Sequence, residues 1–84
     1  MAEEQVAVVV KFFAKPSVAA LEIQAPIKSG DTLRFQGHTT DFTQKVTSME
    51  IDNNPVEEAK TGDLVGIKTN ERVRENDKVY RVEE

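Results

Sequence analysis

One turn is written three times in this chain, and it constrains the fold more than any other feature. Lys28-Ser29-Gly30-Asp31, Lys60-Thr61-Gly62-Asp63 and Arg74-Glu75-Asn76-Asp77 share the pattern basic residue, any residue, Gly or Asn, Asp. An apolar residue follows each Asp by two positions, at Leu33, Val65 and Val79. Gly and Asn adopt positive φ at the least cost, and an Asp carboxylate can accept from nearby backbone N–H groups. Each copy therefore reads as a tight turn that launches a strand. Three launch points in 84 residues predict an all-β domain built on repeated turns.

That length allows one domain, residues 1–84 with an ordered core over about 5–82, and one hydrophobic core. A stability of about 4–13 kcal/mol follows from ~0.05–0.15 kcal/mol per residue. The chain has no cysteine, so neither a disulfide framework nor a thiolate zinc site can form. Small secreted domains usually depend on such staples, which points to a reducing cytoplasm. Met1-Ala2-Glu3-Glu4 is acidic where a signal peptide is basic, and no apolar run is long enough to cross a membrane. Net charge is −4, from 15 acidic and 11 basic residues. This balance disfavours non-specific nucleic-acid binding, which draws on Lys and Arg to neutralise phosphates, yet it permits a local basic face.

Gln5–Ala14 is rich in β-branched and aromatic residues and reads as a central strand, stopped by Lys15-Pro16. Ser17–Ala25 alternates, with Ala19, Leu21, Ile23 and Ala25 on one face, and reads as a second strand bounded by Pro16 and Pro26. Thr32–Gly37 places Leu33 and Phe35 inward, with Arg34 and Gln36 outward. Phe42–Ile51 changes the phase of its apolar residues by one, as a β-bulge near Thr47-Ser48 would produce. Asp52-Asn53-Asn54-Pro55 reads as a turn, Leu64–Lys68 and Lys78–Val82 as the last strands, and Val73 as part of a charged connection. About six or seven short strands without an amphipathic helix predict a small closed antiparallel β-barrel, since closure removes exposed edges.

Ile27-Lys28-Ser29-Gly30-Asp31-Thr32-Leu33-Arg34-Phe35, Val46-Thr47-Ser48-Met49-Glu50-Ile51 and Val56–Ile67 together resemble the second domain of translational GTPases such as EF-Tu. In that family the barrel carries a Gly-Asp turn before a strand, a Val-x-Ser-Ile/Met strand and an Ala-x-x-Gly-Asp-x-Val-Gly segment. The resemblance covers roughly residues 5–82, with Asn76 where the family's last turn has Gly. Gly37-His38-Thr39-Thr40-Asp41-Phe42-Thr43-Gln44-Lys45-Val46 is similar to small stand-alone elongation-factor-like proteins and to the C-terminal domain of collagenase-like peptidase-family proteins. The resemblance implies a β-barrel of the translation-protein type. The Gly-x-x-x-x-Gly-Lys-Ser/Thr phosphate loop is absent, so no nucleotide cofactor is expected.

His38-Thr39-Thr40-Asp41 combines an imidazole, two hydroxyls and a carboxylate in a loop, where binding residues concentrate, although Thr and Asp also serve as ordinary turn caps. One His and no Cys leave too few ligands for a metal site. A triad of His38, Asp41 and Ser48 has no spacing that demands it, and the chain is not expected to be an enzyme. Lys11, Lys15, Lys28, Arg34 and Lys45, with Phe12 or Phe13, would form a stacking and phosphate-binding surface if their strands were neighbours; otherwise they are solvated positions beside core aromatics. The family resemblance implies a non-catalytic binding module associated with translation or tRNA, and transfers no contact residue. If RNA is bound, side-chain chemistry points to Arg34, His38, Thr39, Thr40 and Lys45 as contacts, the hydroxyls and imidazole bonding to sugar or phosphate and the cations neutralising charge. The second expectation is a monomeric protein-interaction adaptor docking on an enzyme of the collagenase-like peptidase family.

Overall fold

The computed structural model describes residues 2–83 and contains strands and turns without helices among them. In chain order the strands are β1 (Ala2–Phe13), β2 (Val18–Ile23), β3 (Ile27–Lys28), β4 (Thr32–Gln36) and β5 (Asp41–Lys45). They continue with β6 (Met49–Ile51), β7 (Asn54–Val56), β8 (Glu58–Ala59), β9 (Leu64–Lys68) and β10 (Lys78–Glu83). Eight form one antiparallel sheet in the order β5-β4-β10-β1-β2-β9-β6-β7, while β3 and β8 pair separately. β1 is central, as its apolar composition predicts. The ladder has two ends, at β5 and β7, and no strand pairing among the described residues joins them.

The three repeated turns share one geometry. Gly30, Gly62 and Asn76 have φ of +98°, +95° and +73°. The Asp N–H donates to the carbonyl of the basic residue three positions earlier, at 3.1, 3.0 and 3.2 Å. The Asp Oδ2 accepts from the N–H of that same basic residue, at 2.9 Å for Lys28, 2.8 Å for Lys60 and 2.9 Å for Arg74. Each turn also docks on backbone far from it in sequence. Gly30, Gly62 and Asn76 donate their N–H to the carbonyls of Val46, Ile23 and Val9. Those three residues return a bond from their own N–H to the carbonyls of Asp31, Asp63 and Asp77. All three docked residues are buried, so the turn satisfies backbone groups that water cannot reach.

The residues launched by the turns, Leu33, Val65 and Val79, are buried with Leu21, Phe35 and Met49 in a single core. Phe42 packs on this core and stacks on Phe35 with ring centroids 5.0 Å apart. Val73 is buried as well, an apolar anchor between the exposed Arg72 and Arg74.

Two expectations change. Phe42–Ile51 is not one bulged strand: β5 ends at Lys45, and β6 starts at Met49 with different partners, β7 and β9. The break occurs because Val46 exchanges both backbone bonds with the Gly30-Asp31 turn instead of continuing the β4 ladder. The register shifts lie instead in β1, between Gln5 and Ala7 and between Val9 and Lys11. Ten strands among the described residues replace six or seven, because Phe42–Ile51 is divided and the brief pairings β3, β7 and β8 form in segments that read as turns and connections.

Candidate functional site

The β4–β5 loop is short and tightly held. Gly37 N–H donates to Thr40 O at 2.7 Å, and a Cβ on Gly37 would overlap the Asp77 carboxylate. His38 and Thr39 are exposed, whereas Thr40 is buried at 5% exposure. His38 lines an open cavity of about 500 Å³ with Gln36, Glu75, Asn76, Lys78 and Tyr80. Ser48 belongs to another cavity, beside Ser29, Pro55 and Glu57. No group of three or more His, Cys, Asp or Glu among the described residues is placed to hold a metal ion.

Arg34 projects from the outer face of β4, and carboxylates hold it. Its Nε donates to Asp41 Oδ1 at 3.0 Å, its Nη2 to Asp41 Oδ2 at 3.2 Å and its Nη1 to Glu3 Oε2 at 3.2 Å. The Asp41 hydrogen bonds, and then those of Glu3, raise the guanidinium pKa above its ordinary value. Lys45 is exposed at the far end of β5, opposite Thr32. The face around Arg34 is thus mixed in charge, and an incoming phosphate would have to displace two carboxylates. Of the other cations expected on this face, Lys11 and Lys28 do not join it through neighbouring strands. β10 separates β1, which carries Lys11, from β4, and Lys28 lies in the second sheet.

A different surface carries exposed apolar side chains. The extra residue at the β1 bulge, Val10, reverses the inward and outward alternation of the strand. Val9 points into the core, Lys11 pairs with Ala20, and Phe13 pairs with Val18 on the outside. Phe13 is consequently 44% exposed, with the Lys11 ammonium 5.1 Å from its ring centroid. On the next strands, outward positions are occupied by Val18 and Ala20 of β2 and by Leu64 and Gly66 of β9, with Ala20 opposite Gly66. Leu64 is 58% exposed.

Phe13, Pro16, Val18, Ala20, Leu64 and Gly66 line a groove of about 580 Å³ that Glu50, Asp52 and Asn53 complete on the β6 side. Asp52 and Asn53 both have positive φ, as a two-residue hairpin turn between β6 and β7 requires. The small residues form the floor, and Phe13 and Leu64 rise beside it. The outward alternation of Val18 and Ala20 was the available sequence signal for this surface; the bulge that turns Phe13 outward had none.

Comparison with known proteins gives this surface a context. The chain is 46% identical over 77 residues to an uncharacterised protease of Methanocaldococcus jannaschii, covering 90% of this chain and 19% of that protein. It is 35% identical over 74 residues to a collagenase of Porphyromonas gingivalis, covering 86% of this chain and 20% of the collagenase. The chain therefore spans about a fifth of the length of the curated relatives it matches. Two crystal structures of the C-terminal domain of a Geobacillus thermoleovorans protein described as a U32 peptidase share the fold. One has a TM-score of 0.90 at 17% identity, covering 95% of this chain and 93% of that domain. The other, a selenomethionine variant, has a TM-score of 0.87 at 18% identity, covering 90% and 96%. No protein-family model matches the chain. The expected relation to collagenase-like proteins holds, while the likeness to translational GTPases gains no support from these matches.

Proposed function

We propose that this chain is a non-catalytic docking module that binds an enzyme of the collagenase-like peptidase family. The observation that carries this reading is the outward apolar groove of β1, β2 and β9, with Leu64 and Phe13 at its walls. Scattered exposed apolar residues are ordinary on small domains, but a contiguous apolar cleft rimmed by charge is typical of interaction surfaces. The relatives place homologous sequence inside much longer proteins named as proteases or collagenases, and the structural neighbours are C-terminal domains. A module of that kind has a large protein surface beside it to bind.

The barrel form belongs to the same reading. Gln44 of β5 donates from Nε2 to Lys68 O at 2.8 Å and accepts from Asn70 N–H at 2.8 Å through Oε1. These bonds support closure of the curled sheet by a side chain where strand pairing is missing, leaving the outer faces for contact.

Isothermal titration tests the proposal. The chain is titrated into the Methanocaldococcus jannaschii protease from which the matching segment has been deleted, once circular dichroism shows that this protein is folded. The intact protease, whose own segment would fill the site, is the control. Saturable binding to the deleted form alone is expected; absence of binding to a folded deleted form would sink the reading.

A further inference from the structure

Resting on the docking reading above, we infer that the groove recognises an aliphatic side chain of the partner enzyme flanked by an arginine or lysine on the β6 side. The depth of the groove comes from Ala20 and Gly66, which face each other across β2 and β9. A Cβ at Gly66 would lie 3.4 Å from Val18 Cγ1 and 3.9 Å from Glu50 O, so even one methyl group would raise the floor into contact with its neighbours. Glycine here keeps room for a side chain from outside. Phe13, Val18 and Leu64 offer only carbon to that side chain, which excludes a polar occupant from the centre.

The charges around the groove are ordered. Glu50 and Asp52 line it on the β6 side, both exposed, and neither forms an ion pair among the described residues. Glu22, exposed, stands opposite Leu64 on β2, across β9 from these two carboxylates. The cations stand on the opposite side of the groove: Lys11 lies against the ring of its Phe13 wall, and Lys68 sits opposite Val18 at the other end of β9. A partner cation beside the aliphatic anchor would complement the acidic wall, whereas an acidic neighbour there would face like charge. Such complementarity fixes orientation and suppresses wrong partners more than it adds raw affinity.

Two peptides of equal length serve as probes, a leucine flanked by arginines and a leucine flanked by glutamates, titrated into the labelled chain and followed by amide NMR. Shifts at Ala20, Glu50, Leu64 and Gly66 with the arginine peptide, at least about tenfold weaker with the glutamate peptide, are expected from one close charge pair of ~1.4 kcal/mol or more. Glu50→Lys with Asp52→Lys should reverse this preference, and Leu64→Glu should weaken both peptides. Equal binding of the two peptides, shifts elsewhere, or no shifts at millimolar peptide would overturn the inference. The segment-deleted protease separates this failure from failure of the docking reading. If it binds, and Leu64→Glu weakens it while the double lysine variant does not, docking stands and the basic flank falls. If it fails to bind while the arginine peptide maps to the groove, the recognition stands and that enzyme is excluded as the partner.

Discussion

Replacing Gly62 with alanine isolates a single physical cost. Gly62 has φ of +95°, and a Cβ built there meets no atom within 4 Å. Crowding therefore contributes nothing, and the N–H that Gly62 donates to Ile23 O at 2.7 Å is retained by alanine. What remains is the penalty for an L-residue in the left-handed region, about 1–2 kcal/mol. Lower backbone entropy in the unfolded chain returns about 0.4–1 kcal/mol of this. The expected net loss is roughly 1 kcal/mol, or about 4–8 °C in Tm for a domain of this size. Against a total of about 4–13 kcal/mol the variant still folds.

Gly30→Ala should lose about the same amount, because its φ is +98° and its surroundings are equally open, and the two losses should add within about 0.5 kcal/mol in the double variant. Asn76→Gly should be nearly neutral, since Asn already tolerates its φ of +73°. The chain has no tryptophan and one tyrosine, so thermal and urea unfolding are best followed by far-UV circular dichroism and calorimetry. An alanine variant as stable as the parent would refute the argument. So would a difference between Gly30→Ala and Gly62→Ala of more than about 1 kcal/mol, because the account of three equivalent turns would then fail.

Asp77→Ala should cost about 1.5–3 kcal/mol, the range for a hydrogen bond to a charged group, and more than Asp31→Ala or Asp63→Ala, since Asp77 is only 5% exposed; urea midpoints give the order. Gly37→Ala should destabilise by about 1–3 kcal/mol through overlap with the Asp77 carboxylate, and pairing it with Asp77→Ala should recover part of the loss. Leu64→Glu should change stability by no more than about 0.5 kcal/mol, as exposed substitutions do, while weakening peptide binding in the NMR titration. Arg34→Ala with Lys45→Ala should leave any tRNA-induced amide shifts unchanged, because Asp41 and Glu3 already occupy the guanidinium; a weakened, less salt-dependent interaction would restore the RNA expectation.

The turns and the core were legible in the sequence for the same reason: both depend on residue types that leave few alternatives. Gly or Asn before Asp selects positive φ, and the apolar residue two positions later then falls on the inner face; Leu33, Val65 and Val79 are all buried. The partners of the turns were not legible. Nothing in Val9, Ile23 or Val46 announces that its backbone will bond to a turn 15 to 68 residues away in a chain of 84, because every residue but proline carries the same carbonyl and N–H.

That hidden choice also governs the candidate site. Asn76 and Asp77 bind the backbone of Val9, the register shifts between Val9 and Lys11, and the alternation of β1 reverses. Counted at period two from Val9, Phe13 would be a core residue; with Val10 as the extra residue it becomes a wall of the groove. The His38 loop attracted functional expectation through its polar residues, yet one of its hydroxyls is buried and its neighbouring arginine is neutralised. The exposed apolar groove lies instead beside the β1 bulge, where Phe13 faces outward next to the valine that bonds the turn. Deleting Val10 tests this coupling directly: restored alternation would force Phe13 inward or break the Val9 docking, and either outcome should cost both stability and the groove. A deletion variant with unchanged unfolding midpoint and an intact peptide-binding surface would show that the bulge does not set the phase of the strand.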